Sequence, residues 1–208
     1  MSKLRLWGHP KSINVQKVLW GLDELDLEFE GIDAGGKFGR VKDADFLTLN
    51  PNGLIPTLED GNAAIWESNA ILRYLAAKYG AAPFQPSDLA QRARADAWTD
   101  WNNNTFWEHV RPLQIQLIRT PEDRRDQNLI SASLERVNAA VHILDRELTR
   151  KPFLAGDEFT FGDIPVATTA QRWFNLPIER PEVKAVSAWY ERVKQHPGFK
   201  RWVDLPLY

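Results

Sequence analysis

The chemistry this chain can do starts from two serines. Ser12 follows the loop His9-Pro10-Lys11, and Ser68 follows Glu67; each opens an apolar-periodic run that reads as a helix. A helix N-terminus presents unpaired backbone N–H groups and partial positive charge. Both runs come after strand-like segments, so both helix starts should open at one edge of a sheet, where a small anion can be held. A lone serine at such a place is ordinarily a plain N-cap, and the pair gains meaning only from its neighbours. One neighbour is Ile55-Pro56, between a loop and a strand. A proline entering a strand removes a ladder hydrogen bond unless it sits at the first position or on an edge. The chain has no cysteine, so any sulfur chemistry must come from a ligand. No metal-ligand spacing, phosphate-cradling glycine loop or Ser/His/Asp set is evident, and His109 is a lone histidine.

The elements that must position these residues follow from periodicity. Leu4 and Leu6 alternate with Lys3, Arg5 and Trp7 as a short strand. Val15, Val18, Leu19, Leu22 and Leu25 then fall on one helical face behind Ser12, and Leu27 and Phe29 alternate as a second strand. Strand, helix, strand in so short a stretch predicts a parallel pair. After the flexible Gly35-Gly36-Lys37-Phe38-Gly39 loop comes a short irregular helix reaching Leu49. A third strand is predicted from Ile55 to Glu59, a turn at Asp60-Gly61, and a returning strand from Ala63 to Trp66. The helix from Ser68 buries Ile71, Leu72, Leu75 and Tyr79 and should end in a left-handed cap at Gly80. This half, in the order βαβαββα, is an α/β thioredoxin-like arrangement with a mixed four-stranded sheet. The Pro83/Pro86 stretch marks a linker, and everything after it reads as helix. The expected organisation is therefore residues 1–80, a linker at 81–87, and an all-α helical domain at 88–208. Within that domain the 88–119 helix should kink at Pro112. Ile130, Leu134, Val137, Val141, Leu144 and Leu148 form a packing stripe, and Thr160/Asp163 form a capping box ahead of a buried helix.

Composition sets the outer bounds. The chain has 208 residues, 43% hydrophobic and 26% charged, enough for two domains with a core that needs no staples. A net charge of -2 gives no reason to expect nucleic acid or an anionic membrane as partner. The N-terminus lacks a signal-peptide apolar core, and no apolar run approaches the roughly 20 residues of a bilayer span. The expected location is the cytoplasm. Nine tryptophans should serve mainly in packing.

Asn50-Pro51-x-Gly53-x-x-Pro56-x-Leu58, a hairpin, then Glu67-Ser68 before an apolar helix, together with Thr160/Asp163, resembles the cytosolic glutathione transferase superfamily over essentially the whole chain. The resemblance is to bacterial-type, serine-type members, phi- and theta-like, with some nu-like features. It implies a cis Pro56 and a set of roles. Glu67 and Ser68 would hold the γ-glutamyl end of glutathione, Ile55 would pair its backbone with the cysteinyl residue, and Lys42 would take the glycyl carboxylate, with Lys37 competing. Ser12 would stabilise the thiolate; a thiol with a free pKa of about 8.5 is only partly ionised at neutral pH. Asn14 complicates this, because Ser12-x-Asn14 followed by Lys17 also resembles members that reduce disulfides with two glutathiones. The helical domain would supply the electrophile pocket, with Trp101, Thr105 and His109 as candidates on a helix that also carries Phe106, Trp107 and Arg111. The implied activity is conjugation of glutathione, as co-substrate and with no metal, to small apolar electrophiles. The alternatives are a glutathione-dependent disulfide reductase and a non-enzymatic interaction module. A homodimer is implied, with Phe84 and Trp98 as exposed aromatics that could seed the contact.

Overall fold

The computed structural model describes residues 4–207, so Lys3 of the first predicted strand lies outside the described residues. Strands β1 (Leu4–Trp7), β2 (Phe29–Ile32), β3 (Thr57–Asp60) and β4 (Ala63–Trp66) form one mixed sheet in the order β2-β1-β3-β4. β1 pairs parallel with β2, Leu6 opposite Gly31, and antiparallel with β3, Leu6 opposite Leu58. Helices α1 (Ile13–Glu24) and α3 (Ser68–Tyr79) pack Val15, Val18, Leu19, Ile71 and Leu75 against Leu4, Leu6 and Leu58. The short α2 (Ala44–Leu49) covers the other side, where Phe46 meets Trp7 edge to face.

Two boundaries differ from the sequence reading. β2 begins at Phe29 because the chain after α1 first makes a tight turn, with Leu27 donating to the Leu22 carbonyl and Asp26 in left-handed backbone. β3 begins at Thr57 because Pro56 has no amide to donate; Ile55-Pro56 is cis, as the resemblance implies, and Ile55 stands just outside the ladder. Gly80 ends α3 in extended rather than left-handed backbone. Its lack of a side chain is required by closeness, since a Cβ there would lie 2.5 Å from the Ala76 carbonyl oxygen.

From Leu89 on, the regular elements are helices: α4 (Leu89–Trp101), α5 (Trp107–Gln114), α6 (Gln127–Leu148), α7 (Asp163–Asn175) and α8 (Lys184–Val193). The predicted 88–119 helix is continuous but interrupted. π-type turns at Asn102–Phe106 and Ile115–Arg119 flank α5, so the departures from α geometry bracket Pro112 instead of sitting on it. The α6 stripe is core: Ile130, Val137, Val141, Leu144 and Leu148 are buried, and Leu134 packs partly buried beside them. Phe84, expected on the surface, is buried in this same core, at 6.2 Å from Phe159. Trp20, Leu72 and Ala76 also belong to it, so α1 and α3 face both the sheet and the helices. Among the described residues no helix is long and apolar enough to cross a membrane.

The capping box forms in half. Thr160 N–H donates to Asp163 Oδ2 at 3.0 Å, but the Asp163 amide goes to the Thr160 carbonyl, and the Thr160 hydroxyl instead donates to Asp163 Oδ2. The carboxylate has further work: Leu154 N–H and Trp189 Nε1 both donate to Oδ1, each at 3.0 Å.

Candidate active site

Ser12 is the residue before α1, in extended backbone, with the Gln16 amide bonded to its carbonyl at 2.9 Å. Its side chain makes no capping bond. A serine in the N-cap position ordinarily turns its oxygen onto the helix amides; here the hydroxyl is left available. It lines a cleft of about 810 Å³ between the sheet end of the molecule and α5, together with His9, Lys11 and Asn14 from the same loop. The loop is fixed from behind. Gln16 Nε2 donates to the Pro10 carbonyl at 2.7 Å, and the buried Arg172 guanidinium of α7 donates to Gln16 Oε1.

Asn14 sits one step inside α1, and its Oδ1 accepts from Lys17 Nζ at 3.1 Å and from the Ser68 hydroxyl at 3.4 Å. Both acceptor positions of that oxygen are taken, which leaves the amide NH2 as the free end of a side chain that lines the cleft. Lys17 is wholly buried and also donates to Asn103 Oδ1 at 3.4 Å, a bond that crosses to the helical part. Burial, and then the nearby Arg172 charge, push its ammonium down to about 7, against the pull of Glu67. Lys17 was legible as a buried group. Val15, Val18, Leu19 and Leu22 hold one face of α1, and Trp20 adds an apolar residue off that face, next to Lys17 around the helix, which is the one local signal that this side too is covered. Arg172 follows from the same argument, since α7 is buried from Asp163 to Trp173.

The second helix start is built differently. Ser68 is the first residue of α3 and buried, so it is not the cap; Glu67 holds the cap position with φ 67°. A non-glycine residue in left-handed backbone costs about 1 kcal/mol or more and marks a place where the surroundings dictate geometry. Glu67 itself is exposed, with its charge felt by Lys17. Ser68, Asn14, Lys17 and Glu67 thus form one corner, brought together from residues 14 to 68.

Asn50 fixes the turn that presents Ile55. Its Nδ2 donates to the Leu54 carbonyl at 2.8 Å and to Thr57 Oγ1 at 3.1 Å, while its Oδ1 accepts from the Asn52 amide at 3.0 Å. Gly53, at φ 63°, supplies the left-handed residue that this turn requires. Lys42 is exposed on the loop whose Val41 carbonyl packs 3.0 Å from where a Gly53 side chain would begin. Lys37 lies on the His9 side, over the Phe38 ring that His9 also touches, and its charge helps hold the His9 imidazole below its ordinary value, after desolvation.

On the helical side the candidates change. Trp101 packs into the core with Trp98 and Phe106. Neither it nor Thr105 nor His109 lines the cleft; Asn103, Trp107, Glu108 and Arg111 do. The reason is helix phase. Asn103, Trp107 and Arg111 recur every four residues on one face, and Thr105 and His109 sit about half a turn away from it. Among the described residues no group of three or more His, Cys, Asp or Glu is placed to hold a metal ion.

A mixed thioredoxin-like sheet with an available serine at its first helix, closed by an all-helical domain, defines the two-domain class of thiol-using transferases. Residues 2–77 match the glutathione S-transferase N-terminal domain family, and residues 106–197 match the glutathione S-transferase C-terminal domain family. The chain belongs to the glutathione S-transferase family of enzymes. It is 41% identical over 206 residues to glutathione S-transferase GstB of Escherichia coli strain K12, covering 98% of this chain and 99% of that one. It is 34% identical over 220 residues to glutathione S-transferase 3 of Zea mays, covering 100% and 96%. The crystal structure of the theta class glutathione S-transferase from the citrus canker pathogen Xanthomonas axonopodis pv. citri with glutathione bound has a TM-score of 0.93 at 41% identity, with both chains covered completely.

Proposed function

We propose that the protein binds glutathione along the sheet edge, stabilises its thiolate at the start of α1, and conjugates it to an electrophile held against α5. The observation that carries this is the Ser12 hydroxyl, which is released from capping and lines the cleft at a helix N-terminus. A hydroxyl donor and a positive helix end both favour an anion over its neutral acid. The reading continues with Glu67 pairing the γ-glutamyl ammonium and Ser68 with the α3 amides taking the γ-glutamyl carboxylate. The backbone of Ile55 pairs with the cysteinyl residue as an added strand, and Lys42 or Lys37 meets the glycyl carboxylate. The Asn14 NH2 is a second donor to the same sulfur, oriented by the two bonds on its oxygen. The thiolate then attacks, and the leaving group departs with its electron pair.

Replacing Ser12 by Ala should raise the pKa of bound glutathione towards its free value and lower turnover at pH 7 by about 10²-fold. Glutathione affinity should stay within about threefold, because the γ-glutamyl and backbone contacts remain. Thiolate absorbance titrated against pH reads the shift directly. An unshifted titration in Ser12→Ala beside a shifted one in Asn14→Ala would transfer the role to Asn14.

The reading includes a cytoplasmic homodimer. Trp66 and Leu89 are large apolar side chains left 40% and 78% exposed on one chain, and two-fold pairs are the commonest assembly. Sedimentation at micromolar concentration should give twice the 23.9 kDa chain mass; a single-chain species throughout would remove the dimer from the reading.

A further inference from the structure

The sequence reading expects a small apolar electrophile, but the cleft is cationic. Lys11 enters it from the loop before α1, Arg111 from α5, Arg119 from the π-type turn after α5, and Arg172 from α7 beneath. Against these four stands one carboxylate, Glu108. The whole chain carries -2, so the cleft is opposite in sign to the molecule around it. Surface cations are usually a solvated face with carboxylates interspersed. These four come from three separate stretches of the chain and converge on one concavity. The side chains of Lys11, Arg111 and Arg119 make no hydrogen bond or ion pair among the described residues. Arg172 is different: both of its Nη groups are spent on Gln16, Gln171 and the Thr168 carbonyl, and only the buried Nε–H lacks a partner, so it contributes a fixed charge and no free donor fork. Like charges gathered without counter-ions repel, and a bound anion relieves that repulsion. Trp107, Pro112 and Ile115 give the cleft an apolar part among otherwise largely polar neighbours such as Asn14, Asn103 and Gln116.

We propose that the electrophile is an anion, a carboxylate carried on a small flat apolar body, with Arg111 and Arg119 holding the carboxylate and Trp107 covering the apolar part. Guanidinium forks match carboxylates in pairs of parallel bonds, and these two are the arginines of the cleft whose whole fork is uncommitted. The inference rests on the transferase reading and narrows its substrate class. For an aryl chloride the step is a displacement. The thiol proton has gone to solvent, sulfur bonds to the ring carbon, and chloride leaves with the electron pair of the C–Cl bond.

The test compares 4-chloro-3,5-dinitrobenzoate with its methyl ester, each rate divided by its uncatalysed rate with glutathione. The acid should be favoured by about tenfold or more in kcat/KM at low salt, the lower end expected for losing a charge-assisted pair. That preference should shrink at 0.5 M NaCl, because Lys11, Arg111 and Arg119 are exposed to solvent. In the double variant Arg111→Gln, Arg119→Gln the acid-to-ester ratio should fall towards one. A ratio at or below one in the unaltered protein overturns the proposal, and so does a ratio that survives the double substitution. A fall in glutathione affinity in place of the acid preference also overturns it, by assigning the arginines to glutathione's own carboxylates. Calorimetry with 3,5-dinitrobenzoate, which has no leaving group, reads the anion site without turnover. Binding tighter than its methyl ester, and lost in the double variant, supports the anion site even where neither chloride is conjugated; in that case it is the transferase reading that fails. Equal binding of acid and ester overturns the anion site itself.

Discussion

Asp163 and Lys17 are both ionisable, both wholly buried, and surrounded in opposite ways. Burial pushes the Asp163 carboxyl up, and four donors work against that shift: two amides, the Thr160 hydroxyl and the Trp189 indole. These donors belong to the segment before α7 and to α8, so the carboxylate ties the helical part to itself. Lys17 has two neutral oxygens, Asn14 and Asn103, and a repelling arginine that outweighs the pull of the exposed Glu67 carboxylate. It ties the two parts of the molecule together beside the cleft, at a place where its charge is poorly compensated. A buried charge with every lone pair satisfied reads as architecture. A buried charge left under-compensated next to a cleft reads as a site that an anionic ligand completes. The difference teaches that burial alone does not separate structural from functional polar groups; the count and sign of their partners does.

The largest effect should come from breaking the satisfied member. Asp163→Ala strands the Leu154 and Thr160 amides and the Trp189 indole N–H in the core. At about 1–3 kcal/mol for each orphaned buried donor, partly relieved by relaxation, the loss should be about 3–5 kcal/mol. Chemical denaturation measures it, and kcat/KM per folded molecule should stay within about twofold. A variant of full stability and reduced turnover would reverse the assignment and make the two groups alike.

Breaking Lys17 should do the opposite. Lys17→Met removes the burden of a buried ammonium and keeps much of the volume, so it should be more stable than the parent at pH 6 while turning over more slowly, because Asn14 loses the bond that orients it. The sign of the pH dependence follows from the lowered pKa. Between about 7 and 10.5 the unfolded chain holds a proton on Lys17 that the folded chain has released, so the parent gains stability as pH rises through that window. The advantage of Lys17→Met should therefore shrink by about 2 kcal/mol from pH 7 to pH 9. A constant advantage across that range would show that Lys17 folds without a shifted pKa.

Much of this contrast was legible beforehand, and unevenly. The order of strands and helices along the first half, the α6 stripe and the Asn50–Pro56 turn follow from local signals: alternation, four-three spacing, and residues that only certain turns accept. Glu67-Ser68 was recognisable as a motif, though not its strained backbone, which depends on the hairpin and α3 together. The Thr160/Asp163 spacing announced a cap, while the Leu154 and Trp189 bonds came from segments 9 and 26 residues away. The cleft lining was the least legible. The residue types of Trp101, Thr105 and His109 suit a pocket, but which side chains turn inward depends on helix phase. The π-type turns at Asn102–Phe106 and Ile115–Arg119 shift that phase in a way that no residue in them signals. The convergence of Lys11, Arg111, Arg119 and Arg172 spans 161 residues and exists only in three dimensions.

The smallest effect sharpens the comparison at the helix starts. Asp126 and Ser12 both stand at helix N-caps. The Asp126 carboxylate accepts from the Leu129 amide at 3.0 Å, whereas the Ser12 hydroxyl caps nothing. Losing a working cap costs about 1 kcal/mol, so Asp126→Ala should lower stability by about that much and leave turnover alone. Ser12→Ala removes no cap bond, and its stability should change by less than about 0.5 kcal/mol while turnover falls. Stability of the two variants, measured side by side in urea, distinguishes a serine kept for its helix from one kept for its cleft. If Ser12→Ala loses as much stability as Asp126→Ala, the hydroxyl caps α1 in solution, and its availability to a thiolate goes with it.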